Sequence, residues 1–167
     1  THGKTTTSTL LAHILHQSHL GANAFMGGIA NNYGTNLLID TKSDLVVVEA
    51  DEFDRSFHQL SPYMSVITSM DADHLDIYGT EEAYQASFAQ YAGLVEKALV
   101  VKATLLQYMM EAAPQCKVYS YAVGEKADFY ADNVRVENGD IWFDFHTPDT
   151  RYPLSNIRLG VPVMVNV

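Results

Sequence analysis

The sequence predicts an α/β fold, a mostly parallel sheet flanked by helices with an antiparallel β extension in the C-terminal third. Three observations carry this. Short β-branched runs alternate with helical patterns up to about Ala112. Runs such as Leu45-Val46-Val47-Val48 lack polar alternation, as strands buried on both faces of a parallel sheet do. After Pro114 the helical patterns stop, and two of the strand-like runs that follow are joined through Asn138-Gly139, a pair suited to a tight hairpin turn.

The elements follow in order. From Thr5 to about His19, Leu10, Leu11, Ile14 and Leu15 recur at helical spacing, and Gly21 stops the helix. Phe25 to Ile29 is an apolar run containing Gly27-Gly28, and Asn31-Asn32-Tyr33-Gly34-Thr35-Asn36 reads as a turn or a ligand-facing loop. Leu45–Val48 and Met64–Thr68 read as buried strands, each ending in acidic, polar sequence. Thr80, with Glu82 just after it, opens a helix to about Leu94. Ala98–Val101 is a strand, and Thr104–Ala112 a helix. Lys117–Tyr121, Phe129–Val136 and Ile141–His146 complete the strands, and the chain ends in an apolar, strand-like stretch at Val167.

Composition narrows the function. The 167 residues, 47% of them hydrophobic, suit a globular domain with a proper core. Twenty acidic residues against ten basic ones give a net charge of -10, which leaves no basic surface for a nucleic-acid backbone. Any phosphate must therefore be held locally. No apolar run is long enough to span a membrane and no signal peptide is visible, so the expectation is a cytoplasmic protein with no membrane partner. Cys116 stands alone and reads as a small residue packed near a strand.

His2-Gly3-Lys4-Thr5-Thr6 opens directly into the first helix. Gly3-Lys4-Thr5 is the second half of a P-loop, in which backbone N–H groups and a helix N-terminus wrap phosphate oxygens. Lys4 then reaches the outer phosphates, and the Thr5 hydroxyl is placed to bind Mg²⁺. The first glycine of that motif would lie upstream of Thr1, so the spacing test stays incomplete, and an ordinary helix start is the competing reading. Ligands of open α/β sheets gather at the carboxyl ends of the strands, where Glu49 and Asp71-Ala72-Asp73-His74 stand. Glu49, Asp51, Glu52 and Asp54 put four like charges close together, which calls for a cation or basic partner if they do not simply face water. His74, among carboxylates, suits a second cation or an oxyanion. His13, His16 and His19 lack the carboxylate or thiolate that would complete a metal set, and are expected to face solvent.

Thr1-His2-Gly3-Lys4-Thr5-Thr6-Thr7, Val48-Glu49-Ala50-Asp51-Glu52-Phe53-Asp54 and Asp71-Ala72-Asp73-His74-Leu75-Asp76-Ile77-Tyr78-Gly79 together resemble the central domain of the Mur ligases. The loop from Gly27-Gly28 to Gly34-Thr35-Asn36 resembles it too, and the likeness is greatest to the branch that joins L-alanine to UDP-N-acetylmuramate. The resemblance implies an ATP-dependent ligase of peptidoglycan precursor synthesis: γ-phosphate passes to the substrate carboxylate, and an amine attacks the acyl phosphate. Residues 1–167 would then be the central ATP-binding domain, with its first strand, a UDP-sugar domain and a C-terminal domain outside this sequence. It further implies that Lys4 holds the β- and γ-phosphates, Thr5 and Glu49 bind one Mg²⁺ and His74 a second. Lys4, Glu49 and His74 would be the catalytic set, with His2, Gly3, Thr6 and Asn166 also at the cofactor, and His2 and the Asn36 loop toward the sugar nucleotide. Phe88 stands where several of these ligases carry a carbamylated lysine, which argues against carbamate chemistry. Val161–Asn166 retains only Asn166 of a His-Asn pair. A murein tripeptide ligase of the same family, a P-loop phosphotransferase or NTPase, and a non-catalytic nucleotide-binding module are the alternatives. The chain alone is expected to be inactive.

Overall fold

A computed structural model describes residues 2–72, 75–112, 114–149 and 154–160. The chain divides into two compact units, Thr1–Leu60 and Ser61–Val167.

The first unit packs one helix on a three-stranded sheet. Helix α1 spans Lys4–Gln17, and strands β1 (Asn23–Ala30), β2 (Thr35–Leu38) and β3 (Val46–Val48) pair in the order β2-β1-β3. β1 runs antiparallel to β2 and parallel to β3. The core gathers Ala12 of α1, Ala24, Met26 and Ala30 of β1, Leu38 of β2 and Val47 of β3, with Leu15 and Tyr33 packed against it. This differs in detail from the helical stripe expected from sequence. Ser8, Ala12 and Leu15 face the sheet, whereas Leu11 and Ile14 are exposed, because the alanines of β1 leave room for a close helix and small residues make the contact. The Asn31–Asn36 segment is a hairpin turn running into β2: Tyr33 and Gly34 N–H both donate to the Ala30 carbonyl, and Gly34 takes a left-handed φ of 66°.

The second unit holds a six-stranded sheet in sequence order: β4 (Met64–Ile67), β5 (Ala98–Lys102), β6 (Lys117–Val123), β7 (Phe129–Glu137), β8 (Asp140–His146) and β9 (Leu154–Leu159). β4 to β7 pair in parallel, and β7, β8 and β9 antiparallel. The expected antiparallel extension is therefore present, attached through β7, and the described parallel strands fall into two sheets. Helices α2 (Leu75–Tyr78) and α3 (Glu81–Ala92) follow β4, and α4 (Leu106–Glu111) packs against β5 and β6 after a 3₁₀ turn at Ala103–Leu105. Phe88 lies buried in α3 beside Tyr84, whose ring meets Tyr78 edge-on at 4.8 Å.

Asn138 and Gly139 turn the β7–β8 hairpin with φ of 54° and 84°, the pair of left-handed conformations that a two-residue type I′ turn demands. Farther along, the ladders slip near Asn133 and Asn156, both left-handed. Asp144 of β8 serves both places, accepting from the Asn133 side-chain amide at 3.1 Å and the Asn156 backbone N–H at 2.7 Å. These bonds, the Asn156 one foremost, hold its carboxyl below the usual aspartate range.

Candidate functional site

The first unit builds one polar cluster at the start of α1. Gly3 precedes the helix in a left-handed conformation, φ 81°, which glycine adopts without a Cβ penalty. Gly3 has no side chain with which to cap this end, and the first turn carries no acidic residue, which suits the helix N-terminus to an anion.

Glu49 stands one residue beyond β3. Its backbone N–H continues the parallel ladder to the Phe25 carbonyl at 3.0 Å. Its carboxylate then takes up the Gly27 N–H at 2.6 Å, so a side chain ends the β1–β3 pairing. The same carboxylate accepts from the hydroxyls of Thr5 at 2.9 Å and Ser8 at 3.2 Å. Thr5 and Ser8 lie three residues apart on α1, hence on one helix face. A methyl at Gly27 would overlap the Glu49 carboxylate, and one at Gly28 would press on the Thr5 methyl at 3.3 Å. The glycine pair thus clears the space in which Thr5 and Glu49 meet.

Lys4 points to the segment that follows β3. Its ammonium binds Glu52 at 2.6 Å and Asp51 at 3.1 Å. Burial works against its charge, but these two carboxylates outweigh burial and hold its pKa above the ordinary lysine value. The segment is a tight knot: Phe57 N–H and the Ser56 hydroxyl both donate to the Asp51 carbonyl, Asp54 and Arg55 take left-handed φ of 53° and 56°, and Phe57 is buried.

Of the residues expected at the site, Thr5 and Glu49 come together, Lys4 beside Thr5 on the helix turns its ammonium to Asp51 and Glu52, and Gly3 stands at the helix cap. His2 is exposed just before it, and Thr6 is half-buried in the first turn. His74 and Asn166 lie outside the described residues, as does the Val161–Val167 stretch. Asn36 is exposed in β2. His13 and His16 depart from the expected solvent face: both rings pack on Tyr33, and His13 Nδ1 lies 2.8 Å from its hydroxyl. No group of three or more metal-ligating side chains forms among the described residues. Sequence reasoning missed Ser8 and Gly27 as partners of Glu49, and Glu52 as a partner of Lys4.

A family model described as the Mur ligase middle domain matches residues 1–167. The UDP-N-acetylmuramate–L-alanine ligase of Phocaeicola vulgatus is 56% identical over the whole of this chain, which spans 36% of that relative's length. The ligase of the same name from Porphyromonas gingivalis is 49% identical, again over the whole chain and 37% of its own length. Among solved structures, UDP-N-acetylmuramate-alanine ligase MurC of Thermotoga maritima superposes with a TM-score of 0.80 at 24% identity, over 99% of this chain and 36% of that one. A UDP-N-acetylmuramate:L-alanyl-γ-D-glutamyl-meso-diaminopimelate ligase of Neisseria meningitides gives 0.81 at 23%, over 99% and 55%. At these identities the two structures speak to the fold alone.

Proposed function

Because the chain belongs to the Mur ligase middle-domain family, we propose that it is the nucleotide-binding domain of an ATP-dependent ligase joining L-alanine to the carboxylate of UDP-N-acetylmuramate. The observation that carries this reading is the Thr5–Glu49 hydrogen bond in the first turn of a helix that opens on Gly3-Lys4. The L-alanine branch is favoured over the tripeptide branch by the relatives that match at 49% to 56% identity, which bear the alanine ligase name.

The backbone N–H groups after Gly3 would bind phosphate oxygens, and Lys4 would offset the charge on the β- and γ-phosphates. Thr5 Oγ1 and Glu49 Oε1, 2.9 Å apart, are hard oxygen donors of the kind Mg²⁺ takes, and Ser8 and Gly27 hold Glu49 in place for it. When bound, Mg²⁺ supplies positive charge that lets two anions, the nucleotide and the sugar carboxylate, approach each other. His74 is the candidate for a second ion. The γ-phosphate passes to the carboxylate, the alanine amine attacks the acyl carbon, and inorganic phosphate leaves as the amide forms. The UDP-sugar and amino acid would be held by other domains of the whole protein, a bacterial cytoplasmic enzyme, so residues 1–167 alone would bind ATP weakly and make no product.

Phosphate release by the whole protein, with each component omitted in turn, tests the reading. Release should need UDP-N-acetylmuramate and L-alanine together, and Glu49→Ala should lower it about tenfold to a hundredfold, the usual cost of disturbing a metal site. Release that ignores alanine would indicate a phosphotransferase or NTPase instead, no release at all would leave a binding module, and a Glu49→Ala rate equal to wild type would take Glu49 out of the reacting site.

A further inference from the structure

Glu52 and Asp51 both hold the Lys4 ammonium, and they differ in exposure. The Glu52 side chain is 4% exposed and lies 2.6 Å from Nζ, whereas Asp51 is 58% exposed and lies at 3.1 Å. Drawing a cation off a buried carboxylate costs more than drawing it off an exposed one, which water rehydrates. Asp51 Oδ1 also accepts the Phe53 N–H at 3.2 Å, so it keeps a donor when the lysine turns away. An ammonium has three hydrogens, enough for Glu52 and a phosphate oxygen at once.

We infer that Glu52 is a positioning residue that holds Lys4 throughout the reaction, and that Asp51 is a placeholder which the phosphate of an incoming nucleoside triphosphate displaces. The inference rests on the reading of Lys4 as the phosphate-binding lysine. It gives two neighbouring acidic residues opposite roles. Removing the Glu52 charge lets Lys4 swing toward Asp51 and away from the transferring phosphate. Removing the Asp51 charge takes away the nucleotide's competitor.

The test is steady-state phosphate release by the whole protein, with radiolabelled ATP for the slow variants and Lys4→Met as a second background. Glu52→Gln should lower kcat about tenfold or more, and should add no further loss once Lys4 is methionine. Asp51→Asn should lower the KM for ATP about threefold. A Glu52→Gln kcat within twofold of wild type, an equal loss in both backgrounds, or an unchanged or raised KM in Asp51→Asn overturns the inference. Should Glu52→Gln fail to fold, the Asp51→Asn arm decides alone, since that side chain is exposed and its replacement threatens no core. If Lys4→Met itself released phosphate at the wild-type rate, the phosphate-loop reading would fall, an outcome separate from failure of the Glu52 arm.

Discussion

At Gly27 the lack of a side chain matters more than any group the residue carries. Its φ lies outside the left-handed range that disfavours alanine, and the nearest atoms a methyl would meet belong to the Glu49 carboxylate. Gly27→Ala should therefore keep the strand and evict the carboxylate. Mn²⁺ binding to the whole protein with a nucleotide present, followed by electron paramagnetic resonance, should weaken about tenfold, with the thermal unfolding midpoint little changed; unchanged binding would show that Glu49 does not need this seat. Lys4, Thr5 and Glu49 were legible as candidates because Gly-Lys-Thr opens a helix and Glu49 closes an apolar strand. Ser8 was legible in principle, one helical turn beyond Thr5. Gly27 was not, since its role depends on the register of β1 against β3, which pairs Phe25 with Val48 and which a single strand's pattern does not specify. Glu52 was hidden for a related reason: an acidic run looks solvated until the Phe53–Gln59 knot buries one member of it.

Element by element, existence was easier to read than pairing. The helix after Thr80 stood out because its cap is written in residue types, and the structure places Thr80 Oγ1 3.2 Å from the Ala83 N–H it accepts. Thr80→Ala should cost about 1 kcal/mol of stability, the usual worth of such a cap, measurable by urea denaturation of the whole protein; a loss below a few tenths would show that packing of Tyr84 and Phe88 holds the helix unaided. The Asn138-Gly139 hairpin was equally plain, since few residues other than asparagine and glycine accept two successive left-handed conformations. Strands β2 and β9 were not recognised. β2 begins inside an asparagine-rich segment, and β9 carries Asn156 at φ 54°, so polar residues break the alternation that marks a strand. The face of α1 was misjudged because its largest apolar residues are not its contact residues: where two surfaces of alanine and serine approach closely, size and burial part company.

For the whole molecule, the three-stranded sheet of the first unit is covered on one face by α1, while Phe25, Ile29, Val46 and Val48 are exposed. Sheets with parallel pairing are ordinarily buried on both sides, and an uncovered apolar strand surface invites association. Residues 1–167 produced alone should bind the dye ANS and elute larger than a monomer in size-exclusion chromatography, whereas the whole protein should do neither to the same extent. A monomeric chain that leaves the dye dark would contradict this. The fold class was readable at this scale from the alternation of strand and helix, but the division of the strands between two sheets was not, because periodicity identifies strands without naming their neighbours. The junction of sheet and site has one further consequence. Since the Gly27 amide hydrogen rests on a carboxylate rather than on a strand carbonyl, it can exchange with solvent whenever that carboxylate moves off it, with no strand separation. Its exchange is thus a clock set by the site and not by unfolding.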